Sequence, residues 1–316
     1  MKYRRNDAKD YARENMRGIW AAALNPMRPD YSLDEQGLVS NIRHWVDHLG
    51  IAGVFVSGKQ GEFFSLSLEE RKRSFDLAVE ACGNAGTIMS CSDQNFDTVI
   101  DLAKHAEAAG ADYIVVHAPV LHFITDRDDT LYNYYRAISE RVGIGIAMWS
   151  HPDSGYLMSP ELCARIADLP NIVAIKYSVP REMYAELTRL AGDRLIVSTA
   201  SEDAWLDNIL ELGWQVYLCS SPPYLMQTET DRRMLDYTQM AFAGETEKAR
   251  MVRDSLEPVR RALKETRPPA KPQAHQKYWQ ELLGQAGGPV RPPLLQLTER
   301  EREATRHAFI QCGLLS

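Results

Sequence analysis

A chain of 316 residues that is 45% hydrophobic buries a large core, either as one big α/β barrel or as two ordinary domains. Its formal net charge is −7 and its isoelectric point is near 5.7. Basic and acidic residues are interspersed beyond the first seventeen positions, so no electrostatic case exists for a nucleic acid or an anionic membrane as partner.

Taken in chain order, residues 1–17 are basic and carry Tyr3, Tyr11 and Met16, with no apolar h-region of the secretory kind. They read as an N-terminal extension, a short helix packing outside the core against a neighbouring subunit. From residue 18 to 243, short apolar runs alternate with helix-sized segments. The predicted strands are Ile19–Leu24, Gly53–Ser57, Thr87–Cys91, Tyr113–His117, Gly145–Ser150, Ile172–Ser178, Leu195–Thr199 and Val216–Ser220. Eight strands, each followed by a helical pattern, predict a (β/α)8 TIM barrel. An open doubly wound sheet is the competitor, but Asn25-Pro26-Met27-Arg28 stands where its glycine fingerprint would follow the first strand.

Helix boundaries are marked locally. Ser67 with Glu70, and Thr298 with Glu301, form capping boxes; Ser159 precedes Pro160; Gly110 ends the stripe Phe96, Val99, Ile100, Ala103 and Ala106. Residues 244–316 read as a C-terminal helical region, with helices over Glu247–Lys264, Gln273–Leu283 and Thr298–Cys312 and a Pro-rich linker before the second. No apolar run approaches the roughly 20 residues that span a bilayer. Cys82, Cys91, Cys163, Cys219 and Cys312 are widely spaced with no C-x-x-C, which points to reduced thiols in a cytoplasm rather than a zinc site or disulfides.

Asn171-Ile172-Val173-Ala174-Ile175-Lys176-Tyr177-Ser178 carries the chemistry. A continuous apolar run reads as a parallel strand buried on both faces, and alternation places Ile172, Ala174 and Lys176 on one face. Burial favours a neutral amine, which forms a Schiff base with a carbonyl; the competing reading is a lysine that snorkels to a carboxylate. Barrel active sites lie at the C-terminal strand ends. Those positions hold Asn25; Lys59, Gln60 and Glu62; Ser92 and Asp93; His117 and His122; Trp149, Ser150 and His151; Lys176 and Tyr177; Ser201 and Glu202; Ser220 and Ser221.

From about Gly18 to the end, these residues in this order resemble the dihydrodipicolinate synthase / N-acetylneuraminate lyase family, class I pyruvate lyases on a (β/α)8 barrel with a C-terminal helical extension. Val173-Ala174-Ile175-Lys176 is similar to the segment bearing the family's Schiff-base lysine. Gly58-Lys59-Gln60-Gly61-Glu62 resembles its G-[ST]-T-G-E loop, and Arg291-Pro292-Pro293-Leu294 resembles the entry to its last helix. The resemblance implies no metal and no organic cofactor, a small 2-oxo acid as the partner, and a homotetramer or homodimer.

The departures are specific. Lys59 and Gln60 replace the two hydroxyl residues that hold the pyruvate carboxylate, and Trp149 replaces the proton-relaying tyrosine. Leu121 stands at a second tyrosine position and Ser154 near an arginine. Indole donates a hydrogen bond but takes up no proton at neutral pH, so a true dihydrodipicolinate synthase is not expected. His151, whose ordinary pKa lies near 6.5, is the first candidate to move protons, with Asp93 and Tyr177 behind it.

His151-Pro152-Asp153 and Lys176-Tyr177 resemble the hydratase-aldolase branch, with Trp149, Phe63, Phe64 and Phe123 as a flat wall for an aromatic ring. The expected catalytic set is Lys176, Trp149 and His151, and the substrate-binding set is Lys59, Gln60, Asn25, Asp93 and Ser201. Two alternatives stand beside it. One is a metal-dependent barrel enzyme using Glu62, Asp93, His117 and His151, although no strand end carries H-x-H, and His44 and His48 sit on a helix expected to face away. The other is a non-catalytic barrel that only binds a small acid.

Overall fold

The computed structural model describes residues 2–122 and 126–315. The helices and strands among the described residues run α1 (Ala8–Asn15), β1 (Gly18–Ala22), α2 (Glu35–His48), β2 (Gly53–Val56), α3 (Leu68–Cys82), β3 (Gly86–Ser90), α4 (Phe96–Ala109) and β4 (Tyr113–His117). They continue with α5 (Arg127–Ser139), β5 (Gly145–Ser150), α6 (Pro160–Ile166), β6 (Ile172–Tyr177), α7 (Arg181–Ala191), β7 (Ile196–Ser198), α8 (Trp205–Leu212) and β8 (Val216–Ser220). The C-terminal helices are α9 (Pro222–Leu225), α10 (Arg233–Phe242), α11 (Thr246–Ser255), α12 (Glu257–Glu265), α13 (Pro272–Leu282) and α14 (Glu299–Gln311). The eight strands are parallel and follow the order β7-β6-β5-β4-β3-β2-β1-β8, the (β/α)8 barrel fold with a C-terminal helical extension. No described helix is long and apolar enough to cross a membrane.

Two compact units emerge from the contacts. One comprises Met1–Gly18 and Gly86–Cys219, the other Ile19–Ala85 and Ser220–Ser316. In the first, β4, β5 and β6 are mostly apolar and are buried along their whole length apart from His117, which is half-buried, as strands covered on both faces require; Lys176 and Ser150 are the buried polar exceptions near the strand ends. The N-terminal helix lays its apolar face on this unit, with most of its other residues exposed or half-buried. Ala8, Ala12 and Met16 are fully buried. The Tyr11 hydroxyl donates to Asp112 at 2.7 Å, Tyr3 packs on Tyr11 with ring centroids 4.4 Å apart, and Gly145 N–H donates to the Tyr3 hydroxyl at 2.8 Å. The amphipathic helix has an apolar face to bury, and the start of β5 covers part of it.

The local boundary signals hold. Ser67 and Glu70 close a reciprocal capping box, as do Thr298 and Glu301, and Ser159 caps α6 ahead of Pro160. Gly110 ends α4 at φ +87°, a conformation a side chain disfavours. One expected helix is divided: Glu247–Lys264 breaks at Leu256 into α11 and α12, because Pro258 cannot donate to the carbonyl a turn earlier.

In the second unit, the C-terminal helices dock through aromatic anchors. Trp45 stacks on Tyr224 with centroids 4.0 Å apart, and its indole N–H donates to Gln285 at 2.7 Å. Trp279 meets Phe309 edge-on at 5.0 Å and donates to the Leu225 carbonyl at 2.9 Å. His275 lies beside them, fully buried. The Thr266 hydroxyl donates to Ala262 O, so His275 Nε2–H must donate to the Thr266 oxygen, 2.8 Å away. Nδ1 then has no partner among the described residues.

Burial, reinforced by Arg267, pulls the His275 pKa down to about 4. The unfolded chain therefore binds a proton between pH 6.5 and about 4 that the folded chain refuses, and stability falls as pH drops through that window. The expected loss is about 3 kcal/mol at 1.4 kcal/mol per unit. Urea unfolding at pH 7 and pH 4 checks it: His275→Gln should lower stability at pH 7 yet remove most of this pH dependence. Equal slopes in the two proteins would contradict the assignment.

Candidate active site

The first unit presents four side chains from four adjacent strands at one level. The parallel register pairs His117 with Trp149, Trp149 with Lys176, and Lys176 with Ser198. Residues paired across a parallel ladder lie side by side on one sheet face, and the register places Lys176 between Trp149 and Ser198. Lys176 is 2% exposed and Trp149 3%. The lysine Nζ sits 4.8 Å from the centre of the Trp149 ring, where an indole face attracts a cation. Ser198 is committed to the ladder, donating to Val216 O at 2.8 Å and accepting from Leu218 N–H at 2.9 Å.

Two imidazoles flank the indole. His117 meets Trp149 edge-on with centroids 4.7 Å apart, and its Nδ1 lies 2.7 Å from Ala118 O, which places a hydrogen on Nδ1 and leaves Nε2 as an acceptor in the neutral ring. His151 is centred 6.0 Å from Trp149 and 6.4 Å from His117. Its Nδ1 accepts the Asp153 N–H at 3.1 Å and thereby caps the short 3-10 turn Pro152–Ser154, and the Asp153 carboxylate stands 3.2 Å from the same nitrogen. A neutral His151 uses Nδ1 as the backbone acceptor, and a protonated one turns that N–H to the carboxylate. Tyr177, on the other strand face, donates to Met158 O at 2.5 Å, and burial holds its pKa up.

Asp93 follows β3 and accepts the Asn95 N–H at 2.9 Å, ahead of α4. Ser92 accepts the His117 N–H at 2.9 Å. Ser201, after β7, is exposed. Two tyrosines were missed in the sequence. Tyr156 donates to Pro119 O at 2.6 Å and so joins the loops after β4 and β5. Tyr134 holds a buried hydroxyl with no partner among the described residues, its pKa raised by burial and then by Asp93. Phe123 lies outside the described residues.

Asn25, Lys59 and Gln60 belong to the second unit. Asn25 is fully buried and donates to Gly61 O at 2.7 Å. Lys59 and Gln60 are half-buried, Lys59 O accepts from Gln273 at 3.3 Å, and Gln60 Oε1 has no partner among the described residues. The loop bends through left-handed residues, Ser57 at φ +53° and Glu62 at φ +57°. Gly58 is required, since a Cβ there would meet the Phe55 ring at 2.5 Å.

What holds this loop is a buried ion pair. Glu62 and Lys277 side chains are both fully buried, with Lys277 Nζ 2.5 Å from Glu62 Oε1 and 2.9 Å from Pro289 O. Glu62 Oε2 accepts the Arg291 N–H at 2.9 Å, and the Arg291 guanidinium grips Glu70 through two nitrogens at 2.8 Å each. Desolvation lowers the Lys277 pKa while Glu62 opposes it, and at 2.5 Å we take the pair as charged. Both Glu62 oxygens are thereby engaged, which removes Glu62 from the expected metal ligands. Lys277 was legible only as an anomaly: Gln273, Gln276, Lys277 and Gln280 keep the spacing of a core face with polar residues, and all four are buried.

The sequence matches the Dihydrodipicolinate synthetase family over residues 15–311. The chain belongs to this family. It is 28% identical over 303 residues to the 4-hydroxy-tetrahydrodipicolinate synthase of Methanothrix thermoacetophila, covering 95% of this chain and 98% of that one. It is 29% identical over 216 residues to a probable 5-dehydro-4-deoxyglucarate dehydratase of Corynebacterium glutamicum, covering 67% and 66%. The crystal structure of dihydrodipicolinate synthase from Thermotoga maritima superposes with a TM-score of 0.83 at 26% identity, over 95% of this chain and all of that one. The family member described here is accordingly a class I, Schiff-base-type lyase.

Removing one partner of a buried ion pair costs about 3–5 kcal/mol, because the other charge is left uncompensated. Glu62→Gln and Lys277→Met should each lose that much by denaturant unfolding, and the double variant should lose less than the sum. Additive losses would show that the two side chains do not act as a pair.

Proposed function

We propose that this family member acts on a pyruvate-type 2-oxo acid, with Lys176 as the nucleophile. The observation that carries the reading is a buried lysine amine against the Trp149 ring, in register with His117 and Ser198. The amine adds to the ketone carbon, the carbinolamine loses water, and the resulting iminium withdraws electrons from the adjacent bond. In cleavage, the carbon–carbon bond breaks as a base takes the proton of the departing hydroxyl, releasing an aldehyde and leaving an enamine that takes a proton at carbon; in dehydration, a base removes the C–H proton beside the iminium, and the enamine so formed expels the neighbouring hydroxyl, which leaves with a proton as water. Hydrolysis then returns the amine. The Trp149 face supports the cationic iminium, since an indole quadrupole favours a desolvated positive charge.

His151 is the proton carrier in this scheme. The Asp153 carboxylate, 3.2 Å from Nδ1, stabilises the imidazolium that forms when the ring accepts a proton. Lys59 and Gln60 hold the substrate carboxylate, Asn25 steadies their loop through Gly61 O, and Asp93 and Ser201 meet the distal part of the substrate. Trp149 in place of a relay tyrosine argues against dihydrodipicolinate synthase activity, because indole cannot exchange the proton that relay moves. The dehydratase among the relatives favours loss of water from a sugar-derived acid, whereas the Trp149 ring favours an aromatic substituent and C–C cleavage.

Incubation with pyruvate and borohydride should add one reduced pyruvyl group to the peptide carrying Lys176, read by mass spectrometry. Absence of any adduct across pyruvate, arylidene-pyruvates and sugar-derived 2-oxo acids would remove the imine mechanism, and the best substrate in that panel separates cleavage from dehydration. Lys176→Ala should abolish turnover with the circular dichroism unchanged. Lys59→Ala should raise KM about tenfold or more, as expected for loss of a charged hydrogen bond of about 1.5–3 kcal/mol. An unchanged KM would free Lys59 from carboxylate binding.

A further inference from the structure

His44, His48 and Glu229 stand together on the surface of the second unit, and neither the fold nor the proposed chemistry uses them. The two histidines are four residues apart on α2, which puts them on one helix face with ring centroids 5.5 Å apart. Glu229 comes from the connection between α9 and α10, and its Oε1 lies 3.5 Å from His44 Nδ1 and 3.9 Å from His48 Nδ1. One donor atom from each residue falls within 4.8 Å of the others, the one such trio of histidine, cysteine or carboxylate donors among the described residues.

We propose that His44, His48 and Glu229 form a surface binding site for a divalent transition-metal ion of the zinc class. Two imidazole nitrogens and one carboxylate oxygen are the donor set that zinc, nickel and copper favour, and three protein ligands leave a position for water. Metal–ligand bonds of about 2.0–2.2 Å in tetrahedral geometry bring donors to roughly 3.4 Å from one another. Glu229 already stands at that distance from His44, and the rest of the closure falls to side chains 28–59% exposed, which are free to rotate.

The carboxylate is delivered by a built loop rather than a loose one. Thr228 N–H donates to Asp231 O at 2.9 Å, Asp231 N–H donates back to Thr228 Oγ1 at 3.0 Å, and Gln227 Oε1 accepts the Leu235 N–H at 2.9 Å. Asp231 is itself held by Arg233 at 2.6 Å. A groove between α2 and α3, lined in part by Arg43, Asp47, Arg73 and Glu80, opens beside both histidines and gives water access to the remaining position.

A bound ion would tie α2 to the α9–α10 connection, residues far apart in the chain, so it should stabilise the folded protein by mass action. The test is calorimetric titration of the full chain, stripped with EDTA and exchanged, with zinc chloride at pH 7.5. One zinc per chain is expected, together with a rise in Tm. His48→Ala and Glu229→Ala should each weaken binding at least about tenfold, the cost that even loss of an outer partner exacts. Their borohydride labelling at Lys176 should match wild type, because the trio lies outside the proposed catalytic set. Cobalt(II) should give d–d absorption that these variants lose. No stoichiometric zinc uptake overturns the proposal, and so does uptake that both variants retain.

Discussion

An amine withdrawn from water and laid against an indole is the constraint on which this site depends. Lys176 is 2% exposed, yet its Nζ lies 4.8 Å from the Trp149 ring centre. The placement follows from two elementary facts. Strand alternation puts Lys176 on the face opposite Tyr177, and parallel register puts it beside Trp149. Shifting β6 by one residue against β5 would exchange the two faces, turning the amine to Met158 and Cys163, where the Tyr177 hydroxyl now sits. The burial of β6 on both faces makes such a slip costly, so the apolar residues around the lysine do as much for its chemistry as the lysine itself.

The second unit solves a related problem with charge. Its β2 loop is bent through two left-handed residues that are not glycine, each unfavourable alone. The loop keeps that shape because Glu62 is paired with Lys277 out of water and tied to the Arg291 backbone, while Arg291 reaches back to Glu70, Ser65 and Tyr31. The C-terminal helices are thus part of the machinery that shapes Gly58–Glu62. A buried pair contributes little net stability compared with apolar replacements, but it holds the loop that carries Lys59 and Gln60 to one geometry.

The strands Tyr113–His117, Gly145–Ser150 and Val216–Ser220 were legible to the residue, and the others to within one or two at their ends. β-branched runs between turn signals leave little choice. The capping boxes at Ser67 and Thr298 were equally plain, since a cap is satisfied within four residues. What stayed unread has distant partners: the N-terminal helix has an apolar face whose destination, beside Asp112 and Gly145, no local pattern names. The pairing of Lys277 was unreadable for the same reason, its partner lying more than two hundred residues earlier. His151 illustrates the limit at the site, because its residue type is legible in the sequence while the contact of its Nδ1 with Asp153 is not.

By itself the amino-acid order determined the alternation of strand and helix, most of the helix boundaries and the lysine one residue before the end of β6, because each is set by interactions within a few residues of chain. Tertiary structure alone decided that the lysine faces Trp149, that Glu62 is spent on Lys277, and that His44 and His48 meet Glu229. Those outcomes depend on which distant parts of the chain the fold brings together, out of water for Lys176 and Glu62 and at the half-exposed surface for the two histidines. Burial and charge pairing act without regard to separation along the chain.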